Sequence, residues 1–99
     1  MFDKMKQLMD MRKMAQEAER RLGDLRIEKK ALGGKLVIVV NGNHRVESLS
    51  IDDTLLNPGQ KTTLEKSLAA LLTETGEAVK REAASKAMEM MKGMNLPGM

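Results

Sequence analysis

Hydrophobic and polar positions recur with two different periods along this chain. Over residues 2–22, Met5, Leu8, Met11, Ala15, Ala18 and Leu22, followed by Leu25, recur at spacings of three and four. That repeat lines one face of a helix and approximates a coiled-coil seam. Gln16 to Leu22 contains no breaker, Asp3 suits the helix start, and Gly23 suits the position just past the helix end.

The period then shortens to two. Residues 24–32 set Leu25 and Ile27 against Arg26 and Glu28, a half-buried strand whose charged face predicts a sheet edge. Gly33-Gly34 permits a sharp reversal into the run Leu36-Val37-Ile38-Val39-Val40, which has no polar face and therefore predicts a central strand covered on both sides. Asn41-Gly42 is a hairpin signal, because both residues accept the positive φ of a tight turn, and a further strand follows from Arg45 or Val46 to Asp52. A four-residue loop from Gly42 to Arg45 sets Ile38 opposite Leu49 and Leu36 opposite Ile51. It also sets Val37 and Val39 against Ser48 and Ser50 on the other face. This register keeps the apolar matches together, whereas the shorter loop sets Leu36 near Glu47.

After Asp52, the residues Asp53-Thr54-Leu55-Leu56 predict a short turn that plugs two leucines into the core. Asn57-Pro58 can cap the next helix, although Thr62 and Glu65 have capping-box spacing for a later start. The second helix runs to about Lys92, with Leu64, Leu68, Leu71, Leu72, Thr75, Val79, Ala83, Ala87, Met90 and Met94 along one stripe, weakened at Gly76. The chain thus divides, within one domain over 1–99, into a helix (1–23), a three-stranded sheet (24–52), a second long helix (57–92) and a flexible tail (93–99).

The lengths do not match. A strand of about seven residues spans roughly 23 Å and a helix of about 32 residues roughly 48 Å, so the helix overhangs its own sheet. The overhanging stripe of Val79, Ala83, Ala87 and Met90 would be wet in a monomer. The expected fold is α+β, an α-β-β-β-α protomer with a three-stranded antiparallel sheet and two long helices, dimeric, with Leu36, Val37, Ile38, Val39 and Val40 near the shared core.

Composition narrows the chemistry. The chain has 99 residues and no cysteine, which excludes disulfide and thiolate chemistry and fits a reducing compartment. Its start lacks the pattern of a secretory signal and no apolar run approaches membrane-spanning length, which predicts a cytoplasmic protein. The net charge of +3 arises from 17 basic and 14 acidic residues that are interspersed, a weak attraction for polyanions. With one Phe and no Trp or Tyr, stacking platforms for single-stranded nucleic acid are nearly excluded.

The candidate cations are Lys4, Lys6, Arg12, Lys13, Arg20 and Arg21 on the first helix and Lys80, Arg81, Lys86 and Lys92 on the second. Such side chains can displace counterions from duplex phosphates without reading bases. Against that, Lys13 and Glu17, or Glu17 and Arg21, have the spacing to neutralise each other along the helix.

Other candidate chemistries are weaker. Met88, Met90, Met91 and Met94 resemble a soft thioether cluster, but Met88 points away from Met90 and Met94, and flexible core filling explains them better. His44 stands in a turn with no second ligand or nucleophile. Asp52 and Asp53 adjoin at a strand end, where neighbours point apart and a turn is the ordinary explanation. Gly33-Gly34 has no following Lys-Ser/Thr and makes no phosphate loop. No catalytic, metal, cofactor or small-molecule site is expected.

Taken in order, several of these stretches resemble the YbaB/EbfC family of nucleoid-associated DNA-binding proteins. They are Met1-Phe2 through Lys13-Met14-Ala15-Gln16, Gly34-Lys35-Leu36-Val37-Ile38-Val39-Val40-Asn41-Gly42, Val46 with Ile51-Asp52 and Leu55-Leu56, Leu68-Ala69-Ala70, and Met91-Lys92-Gly93-Met94-Asn95-Leu96-Pro97-Gly98. The resemblance implies a dimer whose long helices project as paired arms in the nucleoid. It implies binding to duplex DNA with little or broad sequence preference, and no cofactor or catalysis. The chain departs from the family pattern at Asp53, at Thr73-Glu74, and in having few glycines between Leu25 and Gly34. A rival expectation is a protein-interaction module in which the exposed Met and Leu stripes hold another protein's helix.

Overall fold

The computed structural model describes residues 2–92. Its elements are α1 (Phe2–Gly23), β1 (Arg26–Ala31), β2 (Leu36–Asn41), β3 (Val46–Ile51) and α2 (Lys61–Lys92). The three strands form one antiparallel sheet in the order β1-β2-β3, so the α+β protomer has the α-β-β-β-α order that the periodicities predict. The expectations for Met94 and for the tail over 93–99 lie outside the described residues.

Register follows the apolar pattern. Leu36 pairs with Ile51 and Ile38 with Leu49, while Val37 and Val39 pair with Ser50 and Ser48. Val40 pairs with Val46, so Glu47 is an extra residue that bulges β3. On the other side of β2, Ile27 faces Val40 and Ala31 faces Leu36. The β1–β2 reversal places Leu32, Gly33 and Gly34 in succession at φ of 55°, 67° and 90°. The two glycines adopt this left-handed region without a Cβ clash.

The β2–β3 turn is built differently from the expectation. Neither Asn41 nor Gly42 carries the positive φ, which falls on His44 at 62°. His44 N–H donates to the Asn41 carbonyl (3.1 Å) and Asn41 N–H to that of Arg45 (2.9 Å), a three-residue turn closed by one left-handed residue. Asn41 is nevertheless essential to the shape. Its buried Oδ1 accepts the backbone N–H groups of Asn43 (2.8 Å) and Arg45 (3.1 Å).

One face of the sheet makes the core. Ile27, Leu36, Ile38 and Val40 pack against Leu71, Ala78 and Val79 of α2, with Leu25, Ala31, Ile51, Leu64 and Leu68 partly buried around them. Leu36, Ile38, Leu71 and Val79 are the largest fully buried side chains. Thr75 lies in the same face and resolves its polarity internally, its hydroxyl donating to the Leu71 carbonyl at 2.6 Å.

Three local expectations change. Only Leu55 is buried (5% exposed), whereas Leu56 is 62% exposed. A short helical turn over Asp53–Leu55 aims neighbouring residues in different directions, so it cannot plug both. Asn57 does not cap α2; its side-chain amide turns back to the Thr54 carbonyl at 2.9 Å. Pro58 opens a short turn over Pro58–Gln60, and α2 proper begins at Lys61.

Coverage of the sheet is uneven. α2 packs mainly on β1 and β2; of β3, Ile51 reaches the edge of the core, and Val46 and Leu49 are exposed. Val37 and Val39 point to the opposite face, half-buried between Glu28 and Lys30 on one side and Ser48 and Ser50 on the other. The protomer is long: its extents are 66 × 25 × 17 Å and its Cα radius of gyration is 19.2 Å. A compact chain of this length has a radius of about 13 Å.

Candidate nucleic-acid interface

α1 leaves the body of the protein almost at once. Ala18, Leu22 and Gly23 are half-buried at its C-terminal end, and every side chain from Asp3 to Glu17 is exposed. Met5, Leu8, Met9, Met11 and Met14 are among the exposed apolar residues. The seam that predicts a coiled coil is therefore present, without a partner along most of its length among the described residues.

The cations on α1 are ordered by the helix repeat. Lys6, Lys13 and Arg20 recur every seventh residue and so form one row along the helix, with steps of roughly 10.5 Å. This row lies opposite the Ala18–Leu22 side that faces α2. Asp3, Asp10 and Glu17 recur at the same interval and form an acidic row beside it. At the body end the two rows meet: Glu17 Oε1 accepts from Arg20 and from Arg21, each at 3.2 Å. The neutralising pair Glu17–Arg21 thus forms, whereas Lys13 is not joined to Glu17.

On α2, Lys86 is half-buried and its Nζ lies 3.7 Å from Glu89 Oε2. Lys80, Arg81 and Lys92 are exposed on α2. Among the described residues Lys4, Lys6, Arg12, Lys13, Lys80 and Arg81 form no ion pair. The two helices' cations do not converge on one cavity in the protomer; Arg21 alone of the candidates lines the α1/α2 cleft. That cleft, about 370 Å³, is otherwise mostly apolar, lined by Met14, Ala18, Leu22, Ala87, Met90 and Met91 together with Glu17. Met90 and Met91 serve this cleft, and Met88 is exposed elsewhere.

A second cleft of about 380 Å³ lies where the β2–β3 turn meets α1, lined by Gln16, Glu19, Arg20, Gly23, Asn41, Asn43 and Arg45. Arg45 is absent from the sequence-derived candidates. Its only signal is its place after the turn, and its proximity to Arg20 depends on tertiary contact.

The remaining acid/base candidates are structural. Thr54 donates to Asp52 Oδ1 through its hydroxyl (2.7 Å) and its backbone N–H (2.9 Å). Those two bonds hold the Asp52 carboxyl below its usual range, the hydroxyl being the larger cause. Among the described residues no group of three or more His, Cys, Asp or Glu is placed to hold a metal ion. None of their helices is long and apolar enough to cross a membrane.

Known proteins are similar to this chain in sequence and fold. A nucleoid-associated protein of Rickettsia felis is 29% identical over 93 residues, covering 94% of this chain and 87% of the relative. A nucleoid-associated protein of Rickettsia prowazekii matches with the same identity and coverage. The crystal structure of the uncharacterized protein HP0035 from Helicobacter pylori superimposes with a TM-score of 0.74 at 27% identity, over 92% of this chain and 97% of that one. The YbaB/EbfC DNA-binding family model matches residues 1–94, and the chain belongs to that family.

Proposed function

We propose that this protein is a nucleoid-associated, non-enzymatic protein of the cytoplasm that binds duplex DNA as a homodimer with low sequence specificity. The observation that carries the reading, beside the family, is the row Lys6, Lys13, Arg20 on a helix projecting from the body. Point charges at regular steps along a rod suit the phosphates of a duplex, which need no base contact to bind. Lys4, Arg12, Arg21, Lys80, Arg81, Lys86 and Lys92 add to the field around both helices.

Dimerisation completes the core. Val46 and Leu49 of β3 and Leu72 of α2 are exposed beside the buried Ile38 and Val40, and a groove of about 160 Å³ runs past Gly76 between Val46 and Leu72. A second copy laid on this side would extend the core of Leu36, Ile38 and Val40 across β3, with Val37 and Val39 as the further apolar pair of the same strand. The arms then project from a common body.

The test is a gel-shift titration of the dimer with unrelated duplexes at two salt concentrations. Binding should fall steeply with salt and vary little with sequence, and it should disappear when Arg20, Arg21, Lys80 and Arg81 are reversed to Glu. Retardation unchanged by that reversal, or confined to one duplex, defeats the reading. The rival protein-interaction module has its own support in exposed Met5, Leu8, Met9 and Met11. It predicts that charge reversal leaves the principal binding partner in place.

A further inference from the structure

α1 ends against the β2–β3 turn, and the turn supplies what the helix end lacks. The last carbonyls of a helix have no partner within it. The Leu22 carbonyl accepts the Gly42 N–H at 2.8 Å as well as the Leu25 N–H at 3.2 Å. One turn earlier, the Glu19 carbonyl accepts the side-chain amide of Asn43 at 2.8 Å. Two adjacent turn residues thus grip two successive levels of the helix, which constrains its direction as well as its end point.

The grip is itself rigid. Asn41, buried, fixes the turn from inside through its bonds to the N–H groups of Asn43 and Arg45. Gly42 has no unusual φ, and its value is room: a Cβ there would stand 2.5 Å from the Leu22 carbonyl oxygen and 3.1 Å from its carbonyl carbon. Any other residue pushes helix and turn apart. Apart from its C-terminal contact with α2, little else among the described residues steadies α1: from Asp3 to Gly23, Ala18, Leu22 and Gly23 are half-buried and the rest exposed. The helix is a lever of roughly 30 Å, and a tilt of about 20° at the clamp would carry its tip through roughly 10 Å. That displacement is about three base steps of a duplex at roughly 3.4 Å each.

We propose that Gly42 and Asn43 are positioning residues that set the angle of α1, and with it the alignment of Lys6, Lys13 and Arg20 along DNA. The alignment half of the proposal rests on the DNA-binding reading; the angle half does not. Glu19 and Leu22 take part only through their carbonyls, so the clamp tolerates changes in their side chains but not in the two turn residues.

The chain has no cysteine, so Gln7→Cys on α1 and Ser48→Cys on β3 provide two unique spin-label sites in the full-length protein. Labelled protein diluted into excess unlabelled protein reports the distance within one protomer by pulsed electron resonance. In Asn43→Ala, and in Asn43→Asp, which keeps the shape but cannot donate, the distribution should broaden and its centre move by several ångströms. Gly42→Ala should do so more strongly; where it fails to fold, the Asn43 variants carry the test. In the unlabelled Asn43 variants, DNA binding should weaken about tenfold and the salt slope fall by about one. A distance distribution identical to the parent's overturns the clamp, and a shifted distribution with unchanged DNA affinity overturns its role in alignment. A parent protein that ignores DNA would instead remove the DNA-binding reading, with the distances still deciding whether the clamp exists.

Discussion

Ile38 and Leu49 face each other across β2 and β3 on the same side of the sheet, yet Ile38 is 1% exposed and Leu49 47% exposed. α2 covers the first and stops short of the second. A cross-strand pair divided in this way marks the rim of the core at β3. On the proposed homodimer, Leu49→Lys should leave the protomer folded and weaken association of the two copies. About half of each leucine is left to bury, worth roughly 1 kcal/mol per copy, so the two copies together lose about 2 kcal/mol and association weakens roughly thirtyfold. Sedimentation equilibrium measures this, and an unchanged association constant would move the interface elsewhere.

The interior should respond in the opposite sense. Leu71 is fully enclosed between α2 and the sheet, so Leu71→Ala removes both its burial and the packing around it, at about 2–5 kcal/mol. Met11, on the exposed stripe of α1, should tolerate Ala to within about 0.5 kcal/mol. Urea midpoints for the two variants at the same protein concentration make the comparison. A large loss for Met11→Ala would show that the α1 seam is covered in solution.

Glu17 holds Arg20 and Arg21 on one carboxylate oxygen at 3.2 Å. Phosphate must compete with it. Glu17→Gln frees both guanidinium groups and removes a fixed anion from the face of α1, so DNA affinity should rise about threefold at moderate salt. Equal or weaker binding by this variant, measured by fluorescence anisotropy, would mean that α1 meets DNA on another side.

Asp52 makes stability depend on pH. Hydrogen bonds from Thr54, the hydroxyl first, lower its folded-state pKa. A depressed carboxyl stabilises the fold fully above its unfolded value of about 3.9, and that contribution is lost as pH falls through the folded value. Asp52→Asn should thus be less stable than the parent at neutral pH, with the gap closing below about pH 4. Parallel denaturation at pH 7 and at acid pH checks it; a gap independent of pH would mean that the charge on Asp52 does not matter.

Much of the architecture was legible in the sequence because it is local. The spacing of Met5, Leu8, Ala15, Ala18 and Leu22 makes one helix, and the alternation at Leu25 and Ile27 makes a strand. The match of Leu36 with Ile51 and Ile38 with Leu49 selects one hairpin register out of several. The greater length of α2 is likewise arithmetic on element lengths, although Val79, expected in the wet overhang, is fully buried against the sheet. These follow from the fixed periods of helix and strand, which any stretch carries within itself.

Tertiary contact decided the rest. Asn41-Gly42 marked the turn correctly for a reason that does not apply, since Gly42 is needed for its approach to Leu22 and the positive φ sits on His44. Leu55 and Leu56 are equally apolar, and only the turn that carries them determines which one is buried. The cleft lined by both Arg20 and Arg45 joins segments that the sequence keeps 25 positions apart. Periodicity tells which side of an element is apolar; whether anything lies against that side is a property of the space between elements, which no single stretch encodes.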